Sequence, residues 1–118
     1  MPSRSARPHT ELARVAGDGG PAAPAAQLAL GDGPVASRLR AAILALAQHR
    51  APAGSICPSD AARAVGGDSW RELTTQSREI AIGLARAGEV QILQGGVMCD
   101  PDRSLRGPIR IRAAGEDS

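Results

Sequence analysis

Between Val35 and Arg112 apolar side chains recur first at helical and then at strand spacing. Val35, Leu39, Ile43 and Leu46 fall at i, i+4, i+8 and i+11, one face of a helix that closes near His49. Asp32 is the expected N-cap. Ala51-Pro52-Ala53-Gly54 supplies the stop, because proline breaks the hydrogen-bond ladder and glycine lets the chain turn. A short second helix starts at Cys57-Pro58-Ser59-Asp60, with proline at its first position and an acidic residue in its first turn, both suited to the positive end of a helix dipole. It runs through Ala61, Ala62 and Val65 and halts at Gly66-Gly67. With Asp68 or Ser69 as cap, a third helix from Ser69 to Ala87 places Trp70, Leu73, Ser77, Ile80, Ala81, Leu84 and Ala87 on one face and ends at Gly88. Ile82 falls outside that stripe: either it packs on the hairpin or a partner, or, the preferred reading, a kink near Thr74-Thr75 rotates the later turns inward.

The period then changes to two. Glu89 to Leu93, a turn at Gln94-Gly95-Gly96, and Val97-Met98-Cys99 form a hairpin, and Ile109-Arg110-Ile111-Arg112 alternates as a half-buried strand. Two helices joined by a glycine-containing turn, followed by a hairpin and one more strand, predict a mostly α, α+β domain of the winged helix-turn-helix type over residues 35–113. Residues 1–34 contain 10 Pro and Gly and no long apolar period, so a disordered, low-complexity tail is expected there. Residues 114–118 are expected to fray.

Composition changes this picture only modestly. The span from Ser37 to Arg112 holds 19 Leu, Ile, Val, Met and Trp residues, enough for one thin core, and Trp70 is the protein's single aromatic residue. All 14 cationic residues are arginine, and Ala, Gly, Pro and Arg fill 60 of 118 positions, which reflects GC-rich codons and discounts arginine richness as a nucleic-acid signal. The same span still carries 11 Arg against 7 Asp and Glu, a mild lean toward anionic partners. No apolar run is long enough for a membrane span or a signal-peptide core, so a cytoplasmic protein without membrane contact is expected. Cys57 and Cys99 form no Cys-x-x-Cys pair and are expected as free, buried thiols.

Several short segments, Cys57-Pro58-Ser59-Asp60-Ala61-Ala62-Arg63, Trp70-Arg71, Asp100-Pro101 and Arg106-Gly107-Pro108-Ile109-Arg110, resemble the small bacterial family called domain of unknown function 3253, over roughly positions 38 to 112. The resemblance implies a helical, winged-helix-like fold. It implies no activity, ligand or catalytic residue.

Two readings of function follow. If the domain binds DNA, its third helix enters the major groove and the hairpin touches backbone, which makes Arg71, Thr74, Thr75 and Arg78 the candidate readers. Arg103, Arg106, Arg110 and Arg112 form a second basic cluster. Against this, Arg71 and Arg78 can pair with Glu72 and Glu79, and Asp100 and Asp102 can brace the last turn through salt bridges. The other reading is a protein-interaction module, for which an apolar surface containing Ile82 is the marker. An enzyme is disfavoured: His9, His49, Cys57 and Cys99 make no signature, although Cys57 precedes a helix N-terminus where thiols are activated. No phosphate-cradling motif, cofactor or metal site is expected.

Overall fold

A computed structural model describes residues 7–103 and 105–114 of the 118-residue chain. The stretch expected to be a disordered tail is instead largely helical. Helix α1 spans Arg7–Asp18 and α2 spans Ala23–Leu30, and both contribute to the core. Pro8, Leu12 and Val15 line one face of α1 at spacings of four and three, and Ala23, Ala26 and Ala29 do the same on α2. Leu12, Ala26 and Ala29 are fully buried. The stripe was illegible because alanine supplies most of it, and alanine also lines many exposed helices. Gly19, at φ +70, takes the left-handed conformation that reverses the chain after α1. Residues 1–6 of the expected tail lie outside the described residues.

Within this hairpin Gln27 Nε2 of α2 donates to the Ala16 carbonyl of α1 at 3.2 Å, and polar contacts fasten it to the rest, with Arg38 Nε donating to the Ala29 carbonyl at 2.9 Å. Arg50 is the main tie: its guanidinium meets both Glu11 carboxylate oxygens at 2.8 and 3.1 Å, the Ser55 carbonyl at 3.0 Å and Asp60 at 3.4 Å. The hydrogen bond to Glu11 outweighs partial burial and holds the Arg50 pKa above its ordinary value.

Helix α3, Val35–Arg50, runs through the centre. Leu39, Ile43 and Leu46 are fully buried as the periodicity requires, whereas Val35 at the first position is exposed; Ala42, Ala45 and Ala47 are fully buried too, because α1 and α2 cover one side while α4, α5 and the sheet cover others. Asp32 does not cap it; Pro34 occupies the N-cap and no side chain bonds there. Helix α4, Pro58–Gly66, opens with a capping box in which Asp60 accepts the Cys57 N–H at 2.9 Å and its own N–H points to the Cys57 side chain.

The expected continuous helix from Ser69 is two pieces. A 3-10 segment, Gly67–Leu73, precedes α5, Thr74–Arg86, and neither Asp68 nor Ser69 caps either piece with its side chain. The geometry changes at Thr74, where the misfit of Ile82 placed a kink. Beyond it Ser77, Ala81 and Leu84 face the core, with the Ser77 hydroxyl donating to the Pro58 carbonyl at 2.8 Å, while Trp70 and Leu73 are only half-buried.

Strands β1 (Val90–Gln94), β2 (Val97–Cys99) and β3 (Arg110–Ala113) form an antiparallel sheet in the order β2-β1-β3. Gly95 and Gly96, at φ +57 and +83, make the tight hairpin turn. Ile92 pairs with Ile111 across the sheet, and Ile111 exchanges backbone hydrogen bonds of 2.7 and 2.8 Å with Ile56, so the α3–α4 connection adds a single bridge to the free edge of β3. Val90, Ile92, Ile109 and Ile111 close the core from below. The molecule is therefore mostly helical with a small C-terminal antiparallel sheet, an α+β arrangement. The residues expected to fray, 115–118, lie outside the described ones, and Ala114 follows β3 directly.

Candidate nucleic-acid interface

The eight candidate residues divide into those spent on structure and those left to solvent. Arg78 belongs to the first group. From the middle of α5 its Nη2 donates to the Leu105 carbonyl at 2.6 Å and its Nη1 to the Gly107 carbonyl at 2.7 Å. From the other side Gln94, at the end of β1, donates to the carbonyls of Arg106 at 2.6 Å and Pro108 at 3.3 Å. Four consecutive carbonyls, 105 to 108, are thus held by two side chains, and Gly107 at φ +80 makes the turn between them. Arg78, with both terminal nitrogens engaged, fixes this loop against α5.

Arg110 and Arg112 are likewise occupied. Arg110 donates to Ser55 Oγ and to the Ser55 carbonyl, both at 2.9 Å, and to Cys57 Sγ at 2.8 Å, tying the start of β3 to the α3–α4 connection. Arg112 donates twice to Oε1 of Gln91, its register partner on β1, at 2.6 and 3.0 Å. These are the contacts of a sheet being braced.

Arg71, Thr75, Arg103 and Arg106 remain exposed with no side-chain hydrogen bond of their own among the described residues, Arg110 is exposed but engaged, and Thr74 is half-buried. Arg106 lies within the clasped loop and Arg103 precedes it, and Arg78 docks that loop on the same helix that presents Thr75. Among the described residues none of these arginines has a carboxylate within 4.0 Å. The expected pairing of Arg71 with Glu72 is absent too: its guanidinium sits over the Trp70 ring, 4.6 Å from the centroid, and Arg63 sits over the same ring at 4.2 Å. The turn at Asp100 is braced, but by a different partner from its own basic neighbours. Asp100 accepts the Asp102 N–H at 2.9 Å, and Asp102 pairs with Arg86 of α5 at 3.1 Å.

The remaining chemistry is sparse. Cys57 and Cys99 are free thiols, but half-buried rather than buried as expected. A cavity of about 220 Å³ beside Cys57 is lined by Pro58, Ser59, Thr74, Arg78, Pro108 and Ile109, with no histidine or carboxylate in its wall. Among the described residues no three His, Cys, Asp or Glu side chains converge on a metal-sized site, and no helix is long and apolar enough to cross a membrane.

The family model described as "Protein of unknown function (DUF3253)" matches residues 36–114. The chain belongs to the DUF3253 family. A search of the curated proteins finds no match.

The match begins at α3 and ends with the sheet, so α1 and α2 are packed onto the DUF3253 region from outside it. The segments that first suggested the family hold definite positions. Cys57 to Asp60 form the capping box of α4, Trp70-Arg71 lie in the 3-10 turn, Asp100 makes the side-chain turn, and Arg106 to Arg110 contain the clasped loop. Sequence reasoning missed Gln94, Ser55 and Arg63 as partners in this region of the DUF3253 chain. Gln94 and Ser55 act through turns whose closeness depends on the sheet register. Arg63 had a local signal, since it precedes the lone tryptophan by seven positions across a glycine turn.

Proposed function

We propose that this chain is a non-enzymatic, winged-helix-like module that binds the backbone of nucleic acid through Arg71, Thr75, Arg103 and Arg106. Three features support the winged-helix reading: α4 and α5 follow one another across the 3-10 segment Gly67–Leu73, a hairpin follows, and the α3–α4 connection bridges to the sheet through Ile56. The observation that carries the functional reading is the clasp of carbonyls 105 to 108 by Arg78 and Gln94. It docks a segment bearing the exposed Arg106 against α5, and Arg103, also exposed, precedes that segment in the chain; neither has a carboxylate within 4.0 Å among the described residues. Preorganised cations lose little entropy on meeting phosphates, and backbone contacts position a protein without reading sequence. Glu72 and Glu79 are exposed on the same helical region, which favours modest, salt-sensitive affinity.

The test is fluorescence anisotropy of a labelled mixed-sequence duplex across a salt series, comparing the natural protein with Arg103→Gln/Arg106→Gln. Binding that weakens steeply with salt, and a log–log slope about two smaller in the variant, support the proposal. Equal slopes overturn it. A second reading has one specific observation behind it: Val97 and Met98 on edge strand β2 are 68% and 60% exposed. That edge suits a protein partner, and disruption of such a contact by Met98→Lys, with DNA binding absent, would favour it.

A further inference from the structure

Arg7, Thr10 and Arg14 stand at i, i+3 and i+7 on one side of α1. Together with Glu11 and with His49, in the last turn of α3, they line a single open cavity of about 310 Å³. Arg7, Thr10, Arg14 and His49 are all exposed, so their polar ends are free to meet a solute that enters it. On a helix the natural partner for both arginines is Glu11, four positions after Arg7 and three before Arg14. Glu11 is already taken. Both its oxygens accept from Arg50, at 2.8 and 3.1 Å, and the Nε2 of His49 lies 3.9 Å from one of them. Asp18 follows Arg14 by four positions, yet among the described residues neither Arg7 nor Arg14 has a carboxylate within 4.0 Å. Arg50 cancels the charge of Glu11 from behind the cavity, and the cavity itself keeps two unspent guanidinium charges that repel each other until an anion enters.

We propose that this cavity, between α1 and the end of α3, binds the phosphate group of a small phosphate monoester through Arg7, Arg14, Thr10 and His49. The two unspent positive charges match the charge of about −1.5 to −2 that such a group carries at neutral pH, whereas a carboxylate leaves one of them unanswered. Arginine forks address phosphate oxygens directly, and the Thr10 hydroxyl and the His49 imidazole supply further donors. The volume sits at the lower end of the roughly 300–1,000 Å³ typical of small-molecule sites, enough for a phosphate and a short organic group. A nucleic-acid backbone is the less favoured occupant, because Glu11 forms part of the wall and Asp18 is exposed further along the same helix, and both repel a run of phosphates. Apart from His49 the site lies outside the residues matched by the family, 36–114, and it is independent of the nucleic-acid reading above.

The test is an NMR titration of the full chain with inorganic phosphate and with glycerol 3-phosphate, at neutral pH and constant ionic strength made up with sodium chloride. The amides of α1 and the ring protons of His49 are followed in the natural protein, Arg7→Gln and Arg14→Gln. Circular dichroism confirms folding, and because the two arginines are separate exposed positions, either variant decides the matter if the other unfolds. The expected result is a saturable shift at Arg7, Thr10, Arg14 and His49 with a dissociation constant of about 1 mM for glycerol 3-phosphate, weakened about 10-fold in each variant. Acetate at the same ionic strength is expected to leave these signals in place. Shifts that rise linearly without saturating, or that saturate equally in the natural protein and both variants, overturn the site. Duplex DNA separates the two sources of phosphate: it is expected to leave the α1 amides unmoved. If DNA shifts them while glycerol 3-phosphate does not saturate, the cavity is part of a nucleic-acid surface and the small-ligand assignment is wrong.

Discussion

Replacing Leu12 with alanine separates an integral N-terminal hairpin from a solvated leader. Leu12 has no exposed surface and lies on the α1 face that packs toward α2, α3 and α4. Removing three buried carbons at about 0.8 kcal/mol each sets a floor near 2.4 kcal/mol, and the cavity left behind raises the cost toward about 4 kcal/mol. Against the roughly 5–15 kcal/mol available to a domain of this size, that is a large fraction. Urea denaturation followed by circular dichroism is then expected to show a midpoint lowered by about 1–2 M, given slopes of about 2 kcal/mol per molar. Leu28→Ala, on the 52% exposed side of α2, is the matched control and is expected to change stability by less than about 0.5 kcal/mol. A Leu12→Ala protein that unfolds with the natural midpoint would refute the packing of α1 onto the core.

Arg50→Met removes the bond to Glu11 and the contacts to Ser55 and Asp60, and is expected to cost about 1–3 kcal/mol in the same assay. Because the folded-state pKa of Arg50 is raised, its contribution is fully present below the ordinary arginine value and is lost only in strong alkali. The gap between natural and variant protein is therefore expected to stay constant from about pH 6 to 9 on the arginine's account, and a gap that shrinks as pH rises through that window contradicts the assignment. Arg78→Ala frees the carbonyls of Leu105 and Gly107, with an expected cost of about 1–2 kcal/mol and faster protease cleavage near Arg103 and Arg106. Unchanged cleavage there would show that Gln94 alone holds the loop.

The elements with large apolar residues at regular spacing were legible: Leu39, Ile43 and Leu46 in α3, and the alternation of Ile109 and Ile111 with the arginines between them. What escaped was structure built from alanine. Ala26 and Ala29 bury little area each, so their stripe carries almost no hydropathy signal, yet their small size is what lets α2 lie close to α3. Capping was also misjudged at Asp32 and Asp68, because a capping residue is only a propensity until the chain direction around it is known, whereas Pro58 with Asp60 fixed the start of α4 correctly. At the candidate site the residue types were readable but their employment was not. Arg78, Arg110 and Arg112 look identical to Arg106 in sequence, and only the fold brings carbonyls, Ser55 and Gln91 within their reach. Four of the eight candidates keep an exposed side chain without a bonded partner of their own for this reason: they sit where no later element returns to meet them.

The central proposal, a backbone-binding face made by the turn before α5, the exposed side of that helix and the clasped loop, is tested most directly by a two-dimensional amide NMR titration with a short mixed-sequence duplex at low salt. The predicted outcome is a set of shifted amides at residues 70–78, 103 and 105–107, reversed by added salt, with Leu12 and the other α1 amides unmoved. Shifts confined to Val97 and Met98 on the edge strand, or no shifts at all, would contradict it.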